Sequence, residues 1–201
     1  MHLEERANNM GIKSIIKDTL TLVIITVVLV LLLSAAKVIT EPAINKAYNE
    51  TKLKSYNEVC NGYAEGEDIT GDVVGASAGY RASLIGDDSV KRCKNASGEI
   101  IGYIVECTSN GYGGALNLIV GFDKKGNISG VRYLNMPKET PGLGMKTTEK
   151  SFLDSFIGHN LNDLSEVDTI SGATISSDAF KEAVSLASMF ASRAVTMDGG
   201  L

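Results

Sequence analysis

Tryptophan is absent from the 201-residue chain, and proline and histidine are scarce, at three and two residues. With only two histidines, and three cysteines of which no two have Cys-x-x-Cys spacing, the chain does not favour a zinc, haem or iron–sulfur site. The formal net charge is −5 and lysine and arginine do not cluster, which argues against nucleic-acid binding as the main task. The sequence also offers no convincing nucleophile triad or carboxylate pair. We therefore predict no metal site, no nucleic-acid partner and no catalytic residue.

The composition is that of one ordinary domain with an appendage. At 44% hydrophobic and 21% charged residues, the chain is too apolar to be disordered and too polar to be a polytopic membrane protein. Its 21 glycines predict many tight turns. The three cysteines, Cys60, Cys93 and Cys107, are interpreted first as small buried thiols. A disulfide, with Cys93–Cys107 as one pairing, is the alternative if they lie outside the cytoplasm.

An uncharged run of 18 residues, Thr19 to Ala36, dominates the N-terminal part of the chain. As a helix it measures about 27 Å, close to the ~30 Å of a bilayer core. The competing interpretation is a cleaved signal peptide, whose apolar region is usually shorter, at about 7–15 residues. The run therefore predicts a single transmembrane helix over residues 15–40. Lysine and arginine occur on both sides of it, so the positive-inside rule does not set its orientation.

The remaining pattern predicts an α+β domain, a twisted antiparallel sheet with packed helices. Strong strand signals cover residues 100–107, 116–122 and 128–134, and a weaker one covers 73–80. Helical patterns cover 151–157 and 177–195, the second with Phe180, Val184, Ala187, Phe190, Ala191 and Ala194 on one face. The predicted organisation is a short tail over 1–14, the membrane helix over 15–40, a stalk helix and loop over 41–71, in which 61–71 is loop, and the domain over 72–201.

Lys138 to Lys146 is the first segment with a composition suited to ligand binding. It reads Lys-Glu-Thr-Pro-Gly-Leu-Gly-Met-Lys and holds one apolar side chain, Leu143, between two glycines. Gly142 and Gly144 would let the backbone approach a flat ligand closely, and Leu143 could press on its face. An ordinary surface turn is the alternative, because Pro-Gly is a common turn signal.

Asp168 to Asp178 is the second such segment, small, rich in hydroxyl groups and placed just before the last predicted helix. Ser176, Ser177 and Asp178 are good N-cap residues, and a helix cap is the simplest interpretation. The first turn of a helix also favours a phosphate. Thr174 has little steric cover beside Gly172 and Ala173, so another enzyme could esterify its hydroxyl.

The two segments together resemble the FMN-binding domain family. The resemblance rests on Glu-Thr-Pro-Gly-Leu-Gly at residues 139–144, followed by Ser-Gly-Ala-Thr-x-Ser at 171–176. With one N-terminal span and about 200 residues, the chain also resembles the G subunits of the Rnf ion-translocating ferredoxin:NAD oxidoreductases. The C subunits of Na⁺-pumping NADH:quinone reductases, which are typically longer, are the related alternative.

The resemblance implies that FMN is joined through its phosphate to the hydroxyl of Thr174, by a flavin transferase that uses FAD. Asp168 stands where the recognition motif of the transferase has its aspartate. Many relatives have histidine where this chain has Lys138, so the resemblance assigns no role to that side chain. The other cofactor-binding residues that the resemblance implies are Ser171, Gly172, Ala173, Ser176, Ser177, Glu139, Thr140, Gly142, Leu143, Gly144 and Lys146, with the Gly-rich segment Gly111, Tyr112, Gly113 and Gly114.

The function implied by the resemblance is that of an electron-transfer protein with covalent FMN. It would work with other membrane, iron–sulfur and flavin subunits of an Rnf-type complex, on the extracytoplasmic side of the cell membrane, in coupling ferredoxin:NAD oxidoreduction to Na⁺ or H⁺ transport. No Gly-x-Gly-x-x-Gly fingerprint opens a helix after a strand, so NAD binding by this chain is not expected. A membrane-anchored binding or structural module without redox activity is the rival from another class.

Overall fold

The computed structural model describes residues 2–74 and 89–199, with side chains from residue 16 onward. The chain separates into two compact units, Met1–Glu50 and Thr51–Leu201. The first unit consists of the N-terminal part of a long helix, α1, which extends over His2–Val59 and contains Pro42. Within the described residues, α1 is the one helix long and apolar enough to cross a membrane. Its large apolar side chains between Ile16 and Ile44 are exposed to the surroundings.

The second unit is built on a five-stranded antiparallel sheet in which each strand pairs with the next along the chain, in the order β1 to β5. The strands are β1 Glu65–Asp68, β2 Ser89–Lys94, β3 Ile100–Asn110, β4 Ala115–Asp123 and β5 Ile128–Tyr133. The helices are α2 Thr70–Val74, α3 Lys150–Asp154 and α4 Thr174–Met197, with 3₁₀ turns at Gly144–Thr148 and Leu164–Glu166. The predicted α+β class, with an antiparallel sheet and packed helices, is confirmed.

The larger core lies between one face of the sheet and α4. The stripe predicted on α4, from Phe180 to Ala194, is fully buried there. Side chains of β3 and β4 alternate across the sheet, so Val105 and Val120 meet this core while Ile104 and Ile119 face the other way. The last helix is therefore fixed along its length, and its first residue is held at a defined place beside the sheet.

The C-terminal end of α1 belongs to the second unit and covers the other face of the sheet. Tyr56, Val59 and Cys60 are buried there with Ile104 and Ile119. The helix end comes so close because β4 has glycine at position 121, where a Cβ would lie 2.7 Å from the Val59 Cβ. The Ser129 hydroxyl donates to the Val59 carbonyl at 2.5 Å and fixes the contact.

Three local predictions differ from the structure. Residues 65–68 form the edge strand β1 inside the predicted loop, because their carboxylates face basic residues of β2, with Glu67 2.9 Å from Lys94 Nζ. Val73 and Val74 lie in helix α2 and bury their side chains, and the rest of the weak strand signal lies outside the described residues. Helix α4 begins at Thr174, three residues before the predicted start, with Ala173 at the N-cap.

The cysteines lie on opposite faces of the sheet. Cys107 is buried in the core with α4, whereas Cys60 and Cys93 are buried on the face covered by α1. Strand alternation thus prevents the Cys93–Cys107 disulfide that was the alternative, and all three thiols are unbridged in this structure. All three cysteine side chains are buried, as the preferred interpretation predicts.

The C-terminal end of α4 is fixed by an ionic contact that predicts acid sensitivity. Arg92 donates to both Asp198 oxygens, at 2.8 and 2.5 Å, and the Tyr103 hydroxyl donates at 2.8 Å. The Arg92 guanidinium is the main reason why the pKa of Asp198 lies below its ordinary value. The contact therefore stabilises the fold above the unfolded pKa of about 3.9, and that stability is lost as pH falls through the lower folded value.

We accordingly expect Asp198→Asn to reduce the dependence of stability on acid pH. Between pH 6 and pH 2.5, the wild-type free energy of unfolding should fall by about 1–3 kcal/mol more than that of the variant. Denaturant unfolding at both pH values checks this, with Asp154→Asn on α3 as the control carboxylate. Equal pH dependence of wild type and Asp198→Asn would contradict the assignment.

Candidate functional site

The three segments singled out in the sequence meet around one open cavity of about 530 Å³. The Gly-rich segment contributes Tyr112 from the turn between β3 and β4. The segment after β5 contributes Thr140, Leu143 and Gly144. The start of α4 and the turn before it contribute Gly172, Ala173, Thr174, Ile175 and Ser176. Segments far apart in the chain are thus brought together by the sheet and by the packing of α4 on it.

Thr174 is the first residue of the 24-residue helix α4, and it is exposed on the cavity wall. Gly172 precedes it with φ +80°, a conformation that side-chain-bearing residues rarely adopt, so the chain can turn sharply into the helix. The first N–H groups of a helix lack intrahelical acceptors, and they carry the positive end of the helix dipole. A phosphate group attached to the Thr174 hydroxyl would therefore lie where a helix favours an anion.

The turn at 140–146 presents one apolar side chain to the same cavity. The Thr140 carbonyl accepts from the N–H groups of Leu143 and Met145, at 3.2 and 3.1 Å, which closes the turn. Gly142 has φ +74° and makes the turn possible. Leu143 stays 45% exposed, and Tyr112 and Ile175, which also line the cavity, are 70% and 61% exposed. The cavity thus carries three large, uncovered side chains with apolar surface, suited to a flat aromatic ligand.

Glu139 is buried behind this lining. The residue is only 5% exposed. One carboxylate oxygen accepts from the Gly113 N–H at 3.0 Å, and the other accepts from the Ser176 hydroxyl at 2.6 Å. It is not among the residues that line the cavity. Glu139 therefore belongs to the site, but it contacts the segments that form the cavity rather than the cavity itself.

The hydroxyl groups beside Thr174 have internal partners. Ser177 is buried, donates to the Ala173 carbonyl at 2.9 Å and accepts from the Ile170 N–H at 3.1 Å. Ser177 thus holds the turn before α4 in place.

Tyr133 contacts the 3₁₀ turn Gly144–Thr148. Burial raises the pKa of Tyr133 to about 12, and its hydroxyl lies 2.9 Å from Thr147 Oγ1. These groups build the frame of the site and stay neutral at physiological pH.

Lys146 and Asp168 do not line the cavity that Thr174 lines. Both line a neighbouring depression of about 490 Å³, together with His159, Glu149 and Glu166. Of the remaining residues implied by the resemblance, Ser171, Ser177, Gly111, Gly113, Gly114 and Gly142 do not line the cavity, although they belong to the segments that form it. Ile175 lines the cavity but was missed by the sequence analysis. Two features of the sequence could have identified Ile175. It directly follows Thr174, and it is an apolar residue that does not belong to the core-facing stripe of α4.

Comparison with known proteins assigns the family. The profile of the FMN-binding domain matches residues 111–188, a range that contains every segment of the cavity. The G subunit of an ion-translocating oxidoreductase complex from Methanosarcina acetivorans is 30% identical over 181 residues, which cover 86% of this chain and 92% of that protein. The chain belongs to this G-subunit family. The predicted resemblance is thereby confirmed.

Another relative and one solved structure are also similar to the chain. The G subunit of the ion-translocating oxidoreductase complex from Shewanella amazonensis is 33% identical over 129 residues, covering 56% of this chain and 60% of that protein. The crystal structure of the C subunit of a Na⁺-translocating NADH-quinone reductase from Parabacteroides distasonis has 19% identity and a TM-score of 0.49. It covers 72% of this chain and 82% of the other.

Proposed function

We propose that this G-subunit family member is a membrane-anchored electron-transfer protein that carries FMN esterified through its phosphate to Thr174. The observation that carries the proposal is the position of the Thr174 hydroxyl, at the start of α4 and on the wall of a cavity with Tyr112, Leu143 and Ile175. When bound, FMN supplies the electron-carrying chemistry, so this function requires no catalytic acid, base or metal from the chain.

The residues present fit this cofactor in two respects. The cavity, at about 530 Å³, lies within the usual range of roughly 300–1,000 Å³ for small-molecule sites. The exposed side chains of Leu143, Tyr112 and Ile175 would cover the ring system, and the N-terminus of α4 would stabilise the diester monoanion. Thr174 would hold the cofactor permanently, so that FMN is not lost outside the cytoplasm.

The partners follow from the family. The relatives are named as parts of an ion-translocating oxidoreductase complex. We infer that this chain works with the other membrane, iron–sulfur and flavin subunits of an Rnf-type complex, which couples ferredoxin:NAD oxidoreduction to Na⁺ or H⁺ transport. An FAD-dependent flavin transferase would attach the cofactor, with Asp168 in its recognition motif. Helix α1 would cross the cell membrane once and leave the FMN domain on the extracytoplasmic side.

Purification of the chain from its native membrane tests this function. We expect it to copurify with several polytopic subunits and to show a flavin absorption band that sodium dithionite bleaches. The flavin should stay with the chain after denaturation, because a phosphoester bond survives unfolding. A colourless chain that purifies without other subunits would support the rival, a non-redox membrane-anchored module.

A further inference from the structure

The buried carboxylate of Glu139 joins the three segments that form the cavity. Glu139 itself begins the turn segment, its Oε1 accepts from Gly113 in the Gly-rich segment, and its Oε2 accepts from Ser176 in the first turn of α4. Gly113 follows the lining residue Tyr112, and Ser176 itself lines the cavity, two residues after Thr174. One side chain thus sets the relative positions of the segments.

Glycines make room for this carboxylate. A Cβ at position 144 would lie 2.5 Å from Glu139 Oε2 and 2.8 Å from Ser176 Oγ, and a Cβ at position 111 would overlap Glu139 Oε1. Non-bonded atoms do not approach each other this closely, so any side chain at position 111 or 144 would displace the carboxylate. The glycines around the cavity therefore serve the buried acid as well as the ligand.

We propose that Glu139 is a positioning residue that acts through Ser176 to hold Thr174 ready for attachment of FMN. This inference rests on the proposed function. Breaking the two hydrogen bonds would free the first turn of α4 from the turn segment, and the acceptor hydroxyl would no longer have a fixed place. Glutamine keeps the shape, because its oxygen can accept from Gly113 while the Ser176 hydroxyl rotates to accept from its amide.

Attachment kinetics on the full chain, purified in detergent from cells without the transferase, test the role. Purified transferase and FAD are added, and incorporation is followed by in-gel fluorescence. We expect Glu139→Ala to lower kcat for attachment about tenfold or more, with the KM for FAD unchanged because the transferase binds FAD. Glu139→Gln should restore kcat to within about threefold of wild type.

The matched control is Glu106→Ala. Glu106 is also 5% exposed, but it contacts Tyr56 and Lys52 on the sheet face covered by α1. Its removal should lower the melting temperature and leave the attachment kcat of folded protein unchanged. If Glu139→Ala does not fold, Ser176→Ala, which removes one hydroxyl, is expected to lower kcat instead.

The outcomes separate the two proposals. If wild type accepts FMN and both Glu139→Ala and Ser176→Ala react at the wild-type rate, the positioning role is overturned and the flavin function stands. An equal fall of kcat in Glu106→Ala also overturns it, since any loss of stability would then suffice. If wild type accepts no FMN at Thr174, the proposed function itself fails.

A second inference concerns Cys60 and Cys93, which the flavin site does not use. Both thiols are buried in the small cluster between the end of α1 and the sheet, at 4% and 0% exposure. The proximity of the Cys93 thiol lowers the pKa of Cys60 below its ordinary value. The chain turns directly after Cys60, where the Tyr63 N–H donates to the Cys60 carbonyl at 3.1 Å. It then joins β2 beside Cys93, where the Ala64 N–H donates to the Lys94 carbonyl at 2.9 Å.

The geometry points to Cys60 and Cys93 as a disulfide pair that links the end of α1 to β2 in the mature protein. In the extracytoplasmic orientation proposed above, a protein disulfide is the oxidant. The Cys60 thiolate attacks it to form a mixed disulfide, and the Cys93 thiolate then displaces the oxidant. The pair loses two protons and two electrons, and the oxidant leaves as a dithiol. The step precedes burial of the pair during folding.

Thiol counting on protein from native membranes tests this pair. Membranes are denatured directly in an alkylating reagent, with or without prior reduction, and the chain is analysed by mass spectrometry. We expect one alkylated cysteine, Cys107, without reduction and three after it. Cys60→Ala should show both remaining cysteines alkylated without reduction. Three alkylated cysteines in unreduced wild type, or a bridge that includes Cys107, would overturn the inference.

Discussion

Thr174→Ala is expected to give a folded protein that carries no covalent flavin. The hydroxyl is the only atom of this side chain that can form the phosphoester, and alanine is a good helix former at the exposed first position of α4. Stability should therefore change by less than about 0.5 kcal/mol. In-gel flavin fluorescence should disappear while the circular dichroism and melting temperature stay those of wild type.

Two control variants make this result specific. Thr174→Ser keeps a hydroxyl at the same place and should retain at least part of the covalent flavin. Thr169→Ala removes an exposed hydroxyl from the turn before α4 and should retain all of it. Covalent flavin that persists in Thr174→Ala would refute the attachment site, and its loss in Thr169→Ala would show that the turn tolerates no change.

Gly121→Ala is expected to have the largest effect on stability. A Cβ at this position of β4 would overlap the Val59 carbonyl oxygen and lie 2.7 Å from the Val59 Cβ. The end of α1 cannot shift easily, because Ser129 holds the same carbonyl and Tyr56 and Cys60 are buried beside it. Overpacking against backbone in a well-packed core should cost about 3 kcal/mol or more.

Denaturant unfolding of the full chain in detergent measures this cost. The control is Gly71→Ala in helix α2, where an added Cβ has no atom within 4 Å. That change should leave the free energy of unfolding the same or raise it by up to about 1 kcal/mol. If both variants unfold at the same denaturant concentration, the close approach of α1 to the sheet is not required for stability.

The sheet and its last helix could be predicted because their signals are local. Strands β3 to β5 are rich in β-branched and aromatic residues and are joined by short turns, and the stripe of α4 repeats with the period of a helix. Strand β1 could not be predicted in this way. Its sequence, Glu-Gly-Glu-Asp, has no strand propensity, and it is held by pairing with β2 and by contacts with basic side chains such as Lys94.

The predicted start of α4, at Ser177, lies three residues after the observed start at Thr174 for a related reason. Ser176, Ser177 and Asp178 have the side chains of an N-cap, but Ser176 donates to Glu139 and Ser177 donates to the Ala173 carbonyl. The Ser176 hydroxyl is used in a tertiary contact and the Ser177 hydroxyl in a bond to the preceding turn, so neither caps the helix, and Ala173 is the N-cap without a side-chain bond. Propensity is a weak guide where a buried group competes for the same hydroxyl.

The sequence predicts which segments of the chain form the site, but not which of their side chains face the cavity. Composition indicates residues 138–146 and 168–178 as ligand-binding segments. The family resemblance identifies Thr174 as the attachment residue and adds the Gly-rich segment 111–114. Only the packed structure shows that Glu139 lies behind the lining, that Lys146 and Asp168 line a neighbouring depression, and that Ile175 faces the cavity. These distinctions depend on which way a side chain points, and a sequence motif carries no such information.

The intact mass of the chain extracted from native membranes tests the central claim most directly. We predict a mass, measured after reduction of disulfides, that exceeds that of the 201 residues by one FMN less one water, with the whole increment on the peptide that contains Thr174. The unmodified mass, from cells that possess a flavin transferase, would contradict the account.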